Sequence, residues 1–336
     1  MDTKPQIIFG LHKLPVDPRD YSHHNNFGTL GASQLPTKDF TIYDAFQYTI
    51  IWGDTISKIA NKFSSIIHEI LQANPKIQNI DKIKSGQVIF IPSREVKILN
   101  QLDLDFCTAF TTAELQKAIF AGDVDPFYQF AKIKQLRGEY ASYGANLRDA
   151  CMSVIKFGSL PALFAPYTYG DSNGKTRDFL ANWVNYPIAL DDKASKNKDL
   201  GFFNVDGTGD VFDNIRSTLY MHRTERRAVT FGLFWHNEWT EAPNGIIPSV
   251  MPSTMNGGGH DMAVVGQKTI NGVIYLIFQQ SWGPTAGDKG FYYFPRDIVN
   301  QTATLGYGCY TFSRFQKSAI VGFFERIIGL LTSILK

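Results

Sequence analysis

The chain has 336 residues, 44% hydrophobic and 14% aromatic, with a formal net charge of +2. This composition supports a sizeable core and excludes wholesale disorder, and the near-neutral balance excludes bulk nucleic-acid binding. Cys107, Cys151 and Cys309 stand in no CxxC spacing, which argues against a disulfide framework or zinc ribbon; the sequence calls for no metal and no cofactor.

Residues 1–47 are rich in Pro, Asp, His and Asn, with weak periodicity, and read as an extended arm. The N-terminus lacks the apolar run of a signal peptide, and no stretch of about 18 apolar residues is long enough to span a membrane. Synthesis in a cytoplasm is the expectation. Residues 48–93 form a compact unit. A strand from Tyr48 leads to a Gly53-Asp54-Thr55 turn, and Ile56, Ile59, Ala60 and Phe63 recur at helical spacing. A second helix runs from Ser65 to Ala73 and stops at Asn74-Pro75; a strand from Val88 to Ile91 ends at Pro92.

Residues 94–316 carry a larger α+β pattern. Helices are expected at Phe106–Phe120 and Arg148–Phe157. Strands are expected at Ala228–Trp235, at His260–Gly266 and Val273–Gln280 around an Asn271-Gly272 turn, at Phe291–Phe294 and at Tyr307–Phe312. The basic stretch His222–Arg227 reads as a solvated helix end. Residues 317–336 read as an amphipathic helix, with Ile320, Phe323, Phe324, Ile327 and Ile328 on its apolar face. Its expected role is docking on the protein's own core or self-association, with membrane-surface contact as the alternative.

A thiol attacks an amide well only as thiolate, and a helix N-terminus favours that anion. Cys107 opens the Phe106–Phe120 helix and is the candidate nucleophile. His260, after Gly257-Gly258-Gly259 and before an apolar strand, is the candidate base. Gln280, on the next strand, can orient the imidazole, and Gln101, six residues before Cys107, can donate to an oxyanion. Cys151 and Cys309 lie in apolar contexts and read as small buried hydrophobes. The remaining histidines read as structural or exposed.

Two resemblances follow. Tyr48, Ile50, Gly53-Asp54-Thr55, Ile59-Ala60, Phe63, Ile70, Asn74-Pro75, Ile83, Gly86-Gln87 and Ile91-Pro92 resemble a LysM module. That implies a βααβ fold binding peptidoglycan or chitin-like glycan through Gly53, Asp54, Thr55, Asn74 and Pro75. LysM units also serve as plain structural parts of phage tails. Gln101, Cys107-Thr108-Ala109-Phe110, Gly259-His260 and Gln280-Ser281-Trp282-Gly283 resemble the papain (C1) family in its bacterial and viral branch. That implies a two-lobed cysteine endopeptidase, one lobe helical and one β-barrel-like, acting on peptide or protein, with Trp282 shielding the histidine.

The sequence departs from the family pattern in several places: Leu104-Asp105-Phe106-Cys107-Thr108 stands for the family's Cys-Gly-Ser-Cys-Trp, without its upstream disulfide cysteine. Gln280 stands where the family has asparagine, Asp103 and Asp105 bring negative charge near Cys107, and no long inhibitory segment precedes the enzyme. The function implied is a peptidase localised to cell-wall glycan, lytic or virion-associated and acting at the cell wall or in a virion. The alternative is a catalytically decayed structural or adhesive part of a phage particle or tail.

Overall fold

The computed structural model describes residues 9–13, 21–63, 65–120, 122–170, 174–206 and 209–313. The helix expected at 317–336 lies outside them. Strand β1 (Tyr21–Ser22), helix α1 (His23–Phe27) and strand β2 (Phe40–Thr41) make up the arm. The arm is not simply extended: β1 pairs with β5 and β2 with β7 of the main sheet, so it is part of the sheet's edge.

The small unit follows as β3 (Phe46–Thr49), α2 (Ile56–Lys62), α3 (Ile67–Ala73) and β4 (Val88–Ile91). Thr55 caps α2 by accepting from the Lys58 N–H at 3.1 Å. Ile50, Ile59, Phe63, Ile70, Ile89 and Ile91 form its own core. Buried and exposed residues alternate along β4, as a sheet covered on one face requires.

The helical lobe contains α4 (Cys107–Ile119), α5 (Pro126–Arg137), α6 (Leu147–Phe157), α7 (Arg177–Ala181) and α8 (Ala189–Ala194). The other lobe is built on β5 (Gly201–Asn204), α9 (Val211–Met221), β6 (Val229–His236), β7 (Gly257–Ile270), β8 (Val273–Gln279), β9 (Phe291–Pro295), α10 (Arg296–Ala303) and β10 (Cys309–Ser313). Its sheet runs β1-β5-β10-β6-β7-β8-β9, with β2 on β7. The Asn271-Gly272 turn joins β7 to β8 with both residues at positive φ, 49° and 80°.

Helix α4 is buried along almost its whole length because it lies between the lobes, packed on α5 and β7. That burial erases the amphipathic stripe by which a surface helix is recognised. Thr111 Oγ1 donates to the Asp261 carbonyl at 3.0 Å, fixing α4 against β7.

The basic stretch His222–Arg227 is not a solvated helix end. Arg226, at φ 55°, turns the chain inward, and Arg226 and Arg227 are 1% and 3% exposed. The Arg226 guanidinium donates to the carbonyls of Phe63 (3.2 Å), Ile42 (3.1 Å) and Pro92 (2.7 Å). Those carbonyls lie where the small unit meets the large one, and a planar five-donor group satisfies them together. Arg227 donates to the Phe312 carbonyl and to Glu225.

Candidate active site

Cys107 is the first residue of α4, follows Phe106 as N-cap with no capping side chain, and is 0% exposed. The backbone N–H groups of Asp261 and Gly10 point to its sulfur. Burial pushes the thiol up to about 12, with the nearby Asp261 adding to the rise and the two N–H groups opposing it. Asp261 accepts from Thr230 Oγ1 at 2.6 Å, and burial holds its carboxyl well above the usual range.

His260 lies on β7, opposite Leu233 of β6, fully buried. Its Nε2 meets Gln280 Oε1 at 2.6 Å. That oxygen also accepts from the Ser281 N–H at 2.9 Å, while the Gln280 amide nitrogen faces the Met262 sulfur at 3.4 Å. Among the described residues, His260 Nδ1 makes no hydrogen bond. Burial lowers the imidazole to about 4, opposed by the Gln280 contact. Trp282 stacks on the ring at 4.4 Å and 23°.

Gln101 is 0% exposed; its Nε2 donates to the Leu104 carbonyl at 2.8 Å and its Oε1 accepts from Ser281 Oγ at 2.7 Å. One of its two amide hydrogens is thus spent on the turn that leads into α4. Cys107, His260, Gln280, Gln101 and Trp282 therefore gather around one junction of α4, β7 and the segment after β8.

Of the two aspartates before Cys107, Asp105 adds a last, smaller contribution to the rise of the thiol although it is paired. Asp105 is held by Arg177 of α7 through Nε at 2.9 Å and Nη2 at 2.8 Å, and it also accepts from the Gly144 N–H. Asp103 is exposed and bonds to Tyr169. Arg177 also donates to the carbonyls of Tyr140 (2.9 Å) and Ser142 (2.6 Å), which fixes one wall of the site. Nothing in its flanking sequence singles Arg177 out.

The sequence also gave no sign of what covers the thiol. Residues 9–13 run between the lobes. The Leu11 N–H donates to the Gly259 carbonyl at 2.9 Å, the His12 N–H to the Ala145 carbonyl at 2.7 Å, and the Ala145 N–H to the Gly10 carbonyl at 2.6 Å. The Leu11 side chain fills a hollow over Gly232 beside Leu147 and Tyr307. Glycines permit this close approach: a Cβ on Gly10 would stand 2.0 Å from the Asp105 carbonyl oxygen, and one on Gly144 1.9 Å from that of Gly10. No long segment is needed for this: residues 9–13 suffice to cover the thiol.

Gly53, Asp54, Thr55, Asn74 and Pro75 lie on the loops of the small unit. Asp54 accepts from the Ile51 N–H (2.9 Å) and the Tyr48 hydroxyl (2.7 Å). The Asn74 side chain donates to the Ile70 and Phe90 carbonyls, each at 2.7 Å, and accepts from the Phe90 N–H at 2.8 Å.

The fold is that of the papain-like cysteine proteases, with a LysM domain between arm and α4. Residues 165–310 match the family model "Papain family cysteine protease" and residues 48–92 the model "LysM domain". The first span holds His260, Gln280 and Trp282, not Cys107 or Gln101. Xylellain, a cysteine protease from Xylella fastidiosa, superposes with TM-score 0.62 at 15% identity, covering 92% of this chain and 96% of that one. Procathepsin B S9 from Trypanosoma congolense superposes with TM-score 0.56 at 12% identity, covering 92% and 87%. The secreted LysM effector ECP6 of Passalora fulva is 31% identical over 90 residues; the match takes in 27% of this chain and 39% of that protein's length.

Proposed function

We propose that this chain is a cysteine endopeptidase in which Cys107 attacks a peptide carbonyl and His260 accepts the thiol proton and returns it to the leaving amine. The observation that carries this reading is the cleft's present occupant. An extended polypeptide, residues 9–13, lies over Cys107 with its backbone bonded to Gly259 on one side and Ala145 on the other. A groove that grips extended backbone above a thiol at a helix start, beside an imidazole held by an amide, has the parts acyl transfer requires.

In this mechanism the segment first leaves, water reaches the pair, and the buried neutral thiol and imidazole become thiolate and imidazolium. The tetrahedral oxyanion is stabilised by the Cys107 N–H and by the remaining Gln101 amide hydrogen. Gln280 holds the imidazole tautomer that leaves Nδ1 to the sulfur, and Trp282 keeps water from the Gln280–His260 contact. Water then hydrolyses the thioester. The LysM module concentrates the enzyme on peptidoglycan or chitin-like glycan, so that stem peptides or surface proteins are its substrates, in a lytic or virion-associated role. Residues 318–336 supply self-association or membrane-surface contact.

A decayed, structural protein is the second reading, favoured by the neutral pair and the unbonded Nδ1. Hydrolysis of a casein-derived peptide pool separates the two. The first reading expects turnover by the protein with its N-terminal segment displaced and none after Cys107→Ala; turnover by Cys107→Ala would end the nucleophile assignment. No turnover by either protein leaves the decayed reading.

A further inference from the structure

The loop between β3 and α2 is held rigidly. Ile50 pairs with Gln87 and Gly86 through two backbone bonds of 2.8 Å, the Asp54 N–H donates to the Ile51 carbonyl at 3.2 Å, and Lys58 Nζ donates to the Gly53 carbonyl at 2.9 Å. Gly53 supplies the φ of 86° that the turn requires. The carboxylate of Asp54, the hydroxyl of Thr55 and the amide of Asn74 are all engaged inside the module. Gly53 has no side chain to offer. Those contacts therefore commit Asp54 Oδ2, a lone pair of Thr55 Oγ1 and the whole Asn74 amide to shaping the loops.

Trp52 is left over. It is 92% exposed, whereas Trp235, Trp239 and Trp282 are at most 9% exposed. A fixed loop that holds an indole in water forgoes the burial a tryptophan normally gains. A sugar ring presents an apolar C–H face that matches an indole, and a ring already fixed in place loses little entropy on binding. The flanking surface is mixed: Ile51 beside it is 56% exposed, while on the outer face of β3–β4 exposed Val88 and Phe90 are paired with exposed Thr49 and Gln47. That mixture fits a polar polymer better than a lipid surface.

We infer that Trp52 is the stacking platform on which the LysM module seats a ring of a β-linked N-acetylglucosamine chain. The inference rests on the glycan reading above and assigns its main side-chain contact to a residue outside the loop residues nominated from the sequence. The other described tryptophans are buried or half-buried, so a change in tryptophan emission on binding reports chiefly on Trp52.

The test uses the full chain, its Trp52→Ala and Trp52→Phe variants, the hexamer of N-acetylglucosamine, insoluble peptidoglycan, and vesicles of phosphatidylcholine with phosphatidylglycerol. The expected result is hexamer binding that shifts wild-type emission, weakened about tenfold in Trp52→Ala, largely kept in Trp52→Phe, with unchanged thermal midpoints. A parallel loss on peptidoglycan makes the bacterial polymer a ligand, and a loss on the hexamer alone restricts the ligand to the chitin type. Equal binding by wild type and Trp52→Ala overturns the inference and leaves the glycan reading standing. Failure of the wild type to bind either glycan overturns both. Vesicle binding lost in Trp52→Ala, without glycan binding, makes the indole a membrane anchor and overturns both.

Discussion

At Gln280 one methylene decides where an amide oxygen lands. Sequence comparison with the papain pattern makes Gln280→Asn neutral or beneficial. The geometry reverses that expectation: the 2.6 Å contact with His260 is made at glutamine's length, and the same oxygen is pinned by the Ser281 N–H. Asparagine would stop about 1.5 Å short, one carbon–carbon bond. Gln280→Asn should therefore lower kcat with little change in KM. Gln280→Ala should lose roughly tenfold or more, equivalent to about 1.4 kcal/mol of transition-state stabilisation. Steady-state kinetics on one soluble peptide checks both, and full activity in Gln280→Ala would remove the orienting role. Cys107, His260 and Gln280 could be nominated from the sequence because each sits in a short local pattern. The Asp105–Arg177 pair was not, because its members are 72 positions apart and only the fold brings them together.

Among the elements, the arm is the one most open to control by pH. Helix α1 is docked through His23, whose Nε2 meets His222 Nε2 at 3.0 Å, whose Nδ1 meets Thr218 Oγ1 at 3.3 Å, and which packs on Phe27 and Phe203. Glu225 lies 3.8 Å behind His222, and His24 adds to the local positive potential. Burial, then His222 and His24, lower His23 to about 3. A base with a depressed docked pKa binds fewer protons docked than free. Docking is thus fully supported above about 6.5 and weakens as pH falls toward 3, by up to about 1.4 kcal/mol per pH unit. His12, in the segment over the cleft, is shifted the same way by partial burial and by Lys134 and Arg137, but it is exposed and contributes less. Hydrogen exchange at the Leu30 amide, which follows α1 and donates to Ser217 Oγ of α9 at 2.8 Å, should lose protection from pH 7 to pH 4, referenced to amides within β7. His23→Phe should flatten that dependence, and an equally steep loss in the variant would exclude His23 as its cause.

The sequence outlined the LysM unit and the β6–β8 strands well, since turn residues bound them and burial on one face leaves a pattern. It missed α5, α9 and α10, and it misread Arg226, whose burial depends on carbonyls brought from three distant places. Arg226 now makes a molecule-scale prediction: Arg226→Ala leaves those carbonyls without their donor and should destabilise the fold by about 3 kcal/mol, read from urea unfolding. A change below about 0.5 kcal/mol would make the module a loosely tethered unit.

The claim on which the whole molecule's account rests is that Cys107 and His260 form a reactive ion pair once residues 9–13 are displaced. Gly10→Ala displaces them, because its Cβ cannot fit against the Asp105 carbonyl; it leaves the side chains of Cys107 and His260 unaltered and takes the Gly10 N–H away from the sulfur. The measurement is the rate of Cys107 alkylation by iodoacetamide as a function of pH. The wild type should react slowly at neutral pH. Gly10→Ala should react at least tenfold faster there, with a plateau reaching well below the usual thiol range that disappears when His260→Ala is added. A Gly10→Ala protein whose Cys107 gains reactivity only above pH 8, with or without His260, would contradict the account.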